Sequence, residues 1–303
     1  MGDQTQLDLA VLRQAYERGE NITQLLTRCA PHLQREEIIE IAYDLQAGSY
    51  VKAALDHPTR LSHYAAEIFQ ACCAHLEDGD VILDCGAGEL TSLSALSHHL
   101  EGHRLLACDL SLSRLRVGRR YAQGAMRASL ASQLTLFVAD MGQLPLATDA
   151  VDVVITVHAL EPNHGREEAL LAELLRVAKR RVLLFEPCWE EASAVVRERM
   201  QAHGYVRELP RHSRNLGAQV LSVSALPNPI NPLNPTYCYV LEPRSSEGTQ
   251  GAIAASPFVC PKSQLPLQRC SGYWWSEAGG YAYPEIEGIP CLRAKHGVLM
   301  SVA

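Results

Sequence analysis

VILDCGAGEL, residues 81–90, is the stretch from which this chain is read. Three apolar residues lead into Asp84 and Cys85, glycines follow at 86 and 88, and a helical pattern begins near Thr91. A strand that turns at once into a helix uses glycine, because a backbone without Cβ bends sharply and lets a ligand approach the helix N-terminus. The spacing departs from GxGxxG, and a purely structural strand–turn–helix would use glycine too. The segments beyond the turn give it meaning.

Apolar runs and helical patterns then alternate: TSLSALSHHLEG, RLLACDL, SRLRVGRRYAQGAM, LTLFVAD, VDVVITVHAL, REEALLAELLRVAK and RVLLFEP. That rhythm predicts a doubly wound, mostly parallel α/β sheet, whose ligands bind beyond the carboxyl ends of the strands. After a further helix, QVLSVSAL and TYCYVLEP are joined by PNPINPLNP, which reads as a long hairpin loop and completes seven strands. Acids stand at three successive strand ends, Asp84, Asp109 and Asp140. Asp109, about 20 residues beyond the glycines, suits the two hydroxyls of a ribose. Asp140 suits an exocyclic adenine amine, with Met141 packed on the ring. Each acid alone equally fits a solvated strand end or a helix cap.

Four ordered motifs resemble the class I S-adenosylmethionine-dependent methyltransferases over about residues 80–243. DCGAGEL is similar to their glycine-rich motif, CDLS to the ribose-binding acid, VADMGQLPL to the adenine contact, and VDVVITVHALEP to the fourth strand entering the active site. The late hairpin matches the family's reversed seventh strand, and Leu90 stands where many members carry a third glycine. The resemblance implies S-adenosylmethionine as cofactor, with Tyr50, Asp84, Gly86, Gly88, Asp109, Leu110, Asp140, Met141 and His158 around it. A dinucleotide dehydrogenase is the rival reading, which explains neither ADMGQLPL nor the terminal hairpin. A sulfonium cation among acids also suits a chain of formal net charge -7.

Methyl transfer to a hydroxyl or amine needs a proton acceptor, and HALEPNHGREE offers His158, Glu161 and His164 as catalytic candidates. The structural alternatives are a half-buried strand-end histidine and a neighbour of a helix cap. Glu186, at the next strand end, is placed to face the same cleft. Tyr43 and Tyr50 are candidate lid residues, and ordinary helix packing accounts for Tyr43 as well. Arg114, Arg116, Arg119 and Arg120 crowd one helix, as a solvated face or a seat for a phosphate-bearing acceptor.

Residues 1–79 read as helices capping the sheet, residues 80–243 as the methyltransferase domain, and RSSEGTQGA, residues 244–252, as a linker. Residues 254–303 form a turn-rich β module similar to a small zinc-ribbon-like methyltransferase activator, through a CysPro and the run TyrPro-x-x-x-GlyIlePro. Zinc-bearing forms need four soft ligands. Here Ser263 replaces the partner of Cys260, and only Cys270 and Cys291 accompany it, so no metal is expected. Tyr273, Trp274 and Trp275 make the module a candidate homodimer contact, or it stabilises the enzyme by packing.

Composition sets the outer bounds. The 303 residues, at roughly 150 per domain, give one large unit and an appendage. The acidic balance disfavours a nucleic-acid partner, and no run approaches the roughly 18 apolar residues of a membrane span. A polar start without an apolar core predicts a cytoplasmic protein. Ten cysteines without a CxxC pair read there as free thiols. The fused module, with HALEPN and DLSLSRL, also resembles bacterial methyltransferases associated with surface-polysaccharide or flagellin-glycan genes, and that resemblance implies a small polar acceptor, such as a sugar of a surface-glycan pathway. The alternatives are tRNA or a protein methylated with help from the fused module, or a non-catalytic cofactor-binding scaffold.

Overall fold

Five helices precede the first strand in the computed structural model, which describes residues 8–244 and 256–302. They are α1 (Leu9–Glu17), α2 (Ile22–Cys29), α3 (Arg35–Leu45), α4 (Ser49–Asp56) and α5 (Pro58–Cys72). Side chains fix their starts. Asp8 accepts from the Ala10 and Val11 amides, Asn21 accepts from Gln24, and Gln34 with Glu37 forms a capping box. Gly48, at φ 102°, breaks α3 from α4, and Pro58 opens α5 where its missing N–H leaves nothing unsatisfied. Helices α1–α3 share a small core of their own around Leu12, Ile22, Leu26 and Ile38. Helix α5 instead lays Tyr64, Ile68 and Cys72 on the sheet.

The sheet contains β1 (Val81–Cys85), β2 (Arg104–Asp109), β3 (Thr135–Val138), β4 (Val151–Val157), β5 (Ala178–Glu186), β6 (Gln219–Ala225) and β7 (Tyr237–Glu242). Their order is β3-β2-β1-β4-β5-β7-β6, with β7 antiparallel to both its neighbours, as the sequence predicts. The other helices are α6 (Thr91–Leu96), α7 (Leu112–Ala125), α8 (Ala128–Gln133), α9 (Glu167–Val177), α10 (Ala194–His203) and α11 (Leu209–Asn215). Helix α9 packs Leu170, Leu171 and Leu174 on one face with Leu83 and Val154, while α5, α6 and α7 cover Ile82, Leu105 and Ile155 on the other. Burial on both faces is why the central strands read as unbroken apolar runs. Among the described residues, no helix is long and apolar enough to cross a membrane.

Apart from Arg244, the expected linker lies outside the described residues. Beyond it, β8 (Gln268–Arg269), β9 (Tyr273–Ser276), β10 (Tyr281–Ile286), β11 (Ile289–Pro290) and β12 (Val298–Leu299) form a small antiparallel sheet. This module is sewn to the β3 edge. Cys291 bridges Val138 in parallel, the Leu292 amide donates to the Val138 carbonyl, and Phe258 bridges Leu146. Phe258 stands edge-on to both Phe137 and Trp274, with ring centroids 5.0 Å apart in each pair. Leu267, Tyr283 and Leu292 join the same core as Leu83 and Leu106.

The aromatic residues of the module are less exposed than the sequence suggests. Trp274 and Trp275 are half-buried, and their indole N–H groups donate inward to Glu285 and to the Met300 carbonyl. They therefore brace the module, and Tyr273 is half-buried beside them. All ten cysteines are free. Cys260 lies 3.2 Å from the Tyr283 hydroxyl, and Cys291 contacts the Ile289 carbonyl. Among the described residues, no cluster of three His, Cys, Asp or Glu is arranged to hold a metal ion.

Candidate active site

The glycine turn is pinned to the neighbouring strand, since the Gly86 and Ala87 amides both donate to the Cys108 carbonyl. Gly86 (φ 84°) and Gly88 (φ 55°) both occupy the left-handed region that favours glycine. A Cβ on Gly86 would sit 2.3 Å from that of Ala159, and one on Gly88 would sit 2.4 Å from the Arg114 guanidinium. Leu90 adopts a left-handed φ of 56° despite its side chain. The close approach that a third glycine would allow comes from the opposite element: a Cβ on Gly118 of α7 would lie 2.6 Å from the Glu89 carbonyl carbon.

Around the turn lies a chamber lined by Gly86, Gly88, Asp109, Leu110, Asp140 and Met141, among others, as the sequence anticipates. Asp109 is pre-aimed, accepting from the Gly88 amide at one oxygen and from Ser111 at the other, both at 2.9 Å. Asp140 accepts from Gly142 at 2.8 Å, with Arg166 at 3.6 Å. Asp84 is absent from the lining. Its carboxyl is buried at the end of β1, and burial, reinforced by Asp109, pushes it up to about 7. The acid that lines the chamber at the turn is Glu89, which the sequence reading missed. Its two oxygens accept from the Gly48 and Val51 amides at 2.9 and 2.8 Å, so a residue of the glycine turn caps helix α4.

The Arg114 guanidinium lies between the Tyr43 and Tyr50 rings, 5.0 and 4.7 Å from their centroids, and 3.9 Å from Asp109. Both tyrosines line the chamber. With Arg114 packed in front of Gly88 the chamber measures about 140 Å³. Arg116 and Arg119 point elsewhere and pair with Glu287 of the C-terminal module, which removes them as a phosphate seat.

At the far wall, His158 follows β4 in a left-handed conformation (φ 53°), an uncommon one for a residue with a side chain. Its Nδ1 lies 2.9 Å from Glu161 Oε2, and its Nε2 is 2.8 Å from the Thr236 hydroxyl and 3.1 Å from the Tyr64 hydroxyl. Asn234 Nδ2 donates to the same Glu161 oxygen at 3.0 Å. Burial disfavours the charged imidazole, but the hydrogen bond and charge of Glu161, with Glu186 behind, raise its pKa above the ordinary histidine value. Hydroxyls can donate to Nε2 or accept from it, so the network accommodates imidazole and imidazolium alike.

Glu186 does not face the cleft. It accepts from the Thr156 hydroxyl and from the Ala159, Leu160 and Glu161 amides, and so builds the turn that carries the dyad. Burial raises its pKa to about 7. His164 also falls outside the chamber, half-exposed and paired with Glu167 at 2.7 Å. Tyr64, Thr236 and Asn234 come from distant segments, and their sequence neighbours give no sign that they meet His158.

A methyltransferase-domain family matches residues 82–181. Demethylmenaquinone methyltransferase of Thermobifida fusca (strain YX) is 39% identical over 101 residues, which cover 33% of this chain. The match spans 40% of that enzyme's length. Among solved structures, magnesium protoporphyrin IX methyltransferase from Synechocystis PCC 6803 with bound S-adenosylhomocysteine superposes with a TM-score of 0.51. It is 15% identical and the match covers 69% of this chain and 99% of that one. A chain from the Haloferax volcanii complex containing the Trm112 methyltransferase activator gives a TM-score of 0.50 at 19% identity, covering 65% and 94%. Residues 82–181 thus match a methyltransferase domain, and the α/β sheet around them has a fold similar to that of these solved structures.

Proposed function

We propose that this protein is an S-adenosylmethionine-dependent methyltransferase acting on a small-molecule acceptor in the cytoplasm. One observation carries the reading: the glycine cradle and Asp109 face the His158–Glu161 dyad across a single chamber. Asp109 holds the ribose, Asp140 and Met141 hold the adenine end, and Glu89 with Asp109 supplies negative charge near a cationic cofactor. The bound cofactor supplies an electrophilic methyl on a sulfonium, whose bonding pair returns to sulfur as the methyl leaves.

The chain's own contribution is to position the reactants and to remove a proton. A positioned base adds roughly 10² to 10⁴-fold when the acceptor is a hydroxyl or amine. Glu161 lines the chamber beside His158 and takes the acceptor proton, while the imidazole, braced by Thr236 and Tyr64, stabilises the pair in either protonation state. The narrower sequence expectation, a sugar hydroxyl of a surface-glycan pathway, is one member of this acceptor class.

Isothermal titration tests the cofactor half: S-adenosylmethionine binds in the micromolar range and Asp109→Ala abolishes the heat. Binding of NADH with no S-adenosylmethionine binding would sink the reading. Turnover to S-adenosylhomocysteine excludes a mere scaffold. The pairing of the C-terminal module with β3 keeps a second reading open, methylation of tRNA or a protein with the module as a built-in activator. A salt-dependent gel shift with tRNA would favour it.

A further inference from the structure

A second chamber opens beside the first, of about 330 Å³, and shares Tyr50, Thr91, Ser92, Val157, His158 and Glu161 with it. Its other walls come from α4, from α5 and from the loop between β6 and β7. That loop is latched onto α5 from two sides: Arg60 donates to the Ile230 carbonyl, and Glu67 accepts from the Asn228 amide and side chain. The catalytic chamber therefore continues into a built pocket that the cofactor motifs do not use.

Three features of the pocket describe its occupant. The walls are mainly apolar, with Ala53, Ala54, Leu61 and Ile230 joined by the Tyr50 and Tyr64 rings. At the inner end, beside Glu161, Asn234 keeps a buried Oδ1 with no hydrogen-bond partner. Such an atom costs free energy until a donor reaches it, and a hydroxyl or N–H on the ligand would satisfy it. At the outer end Arg60 and His57 line the mouth, both exposed, and among the described residues no carboxylate pairs with Arg60. A polyhydroxylated ring would leave most of its hydroxyls against carbon here.

We propose that this second chamber is the methyl-acceptor site, and that it takes an amphiphilic anion: an apolar body with a negative group held at Arg60, the reacting hydroxyl presented to Glu161 and a separate donor presented to Asn234 Oδ1. The inference rests on the methyltransferase reading and narrows its acceptor class from polar molecules such as sugars to apolar-bodied acids. In the transfer the acceptor oxygen gains the methyl carbon and loses its proton to Glu161, and the sulfonium becomes a neutral thioether.

The test uses the full chain saturated with S-adenosylhomocysteine and two fluorescent probes of one shape. These are anionic 8-anilinonaphthalene-1-sulfonate and neutral N-phenyl-1-naphthylamine. Both are expected to bind one per chain. Arg60→Gln should weaken the anionic probe about tenfold and leave the neutral one within about twofold. Ala53→Trp, which fills the pocket from an exposed helix position, should abolish both. Retention of either probe by Ala53→Trp, or equal response of both to Arg60→Gln, overturns the proposal. Calorimetric titration of S-adenosylhomocysteine into each protein separates the two claims. If the parent fails to bind it, the cofactor reading falls; if all three bind it while the probes ignore the substitutions, only the acceptor site falls.

Discussion

Helices α1–α4 meet the sheet largely through polar groups. Glu89 caps α4, Asp44 accepts from the Ser111 and Ser113 hydroxyls, and Arg35 donates to the Pro162 carbonyl. The apolar residues of α1–α3 form a separate core. The C-terminal module does the reverse, contributing Phe258, Leu267, Tyr283 and Leu292 to the sheet's own core and continuing its edge by main-chain pairing. Glu40 of α3, bound by Arg293 and Lys295, links the two appendages directly. Polar, capped attachments can open one at a time, whereas a shared apolar core opens only with the fold. The contrast predicts that helices α1–α4 open locally, as a lid would, and that the module opens only with the sheet.

The hardest blow to this contrast comes at Phe258. Phe258→Ala empties a site between two aromatic rings and should cost about 3–5 kcal/mol of global stability in denaturant melts. A loss below about 1 kcal/mol would mean that the module is only tethered. The lid yields more locally. Glu89→Ala orphans two amides at the start of α4, worth about 1–3 kcal/mol there. Hydrogen exchange should accelerate across α4 and S-adenosylhomocysteine affinity should fall, with a smaller change in the global melt than Phe258→Ala produces. If exchange in α4 stays as slow as in the parent, the lid is held by other contacts.

The smallest effect concerns the sheet between the appendages. Asp84 is lifted from the ordinary carboxylate range to about 7, so the folded chain binds a proton that the unfolded chain releases. That contribution is complete below the unfolded-state pKa and lost as pH rises through about 7. The stability of Asp84→Asn relative to the parent should therefore increase between about pH 5 and pH 8. A pH-independent difference would show that Asp84 is ionised throughout.

Much of this was legible in the sequence because the central strands are buried on both faces and polar residues stand at or just beyond several of their ends, so β1 to β5, Asp109, Asp140 and Met141 stand out. The hairpin of β6 and β7 was equally readable from its Asn/Pro-rich loop. What stayed hidden depends on meetings between distant segments. Tyr64 and Thr236 reach one imidazole nitrogen from opposite ends of the domain, and Glu89 looks like an ordinary acid until α4 is laid across it. The same limit misplaced Glu186 and His164, whose partners turn them away from the cleft. The short helices α8 and α11 carry too few turns to show a period.

Gly118 gives the glycine motif a different meaning. A motif records which side of a contact gave up its side chain, and a contact has two sides. Here the loop kept Leu90, and the crossing helix surrendered its Cβ instead. Gly118→Ala should thus behave like a lesion in the nucleotide loop although it lies one helix away. In chains of this fold, a leucine at the loop's third position directs attention to the helix that crosses it.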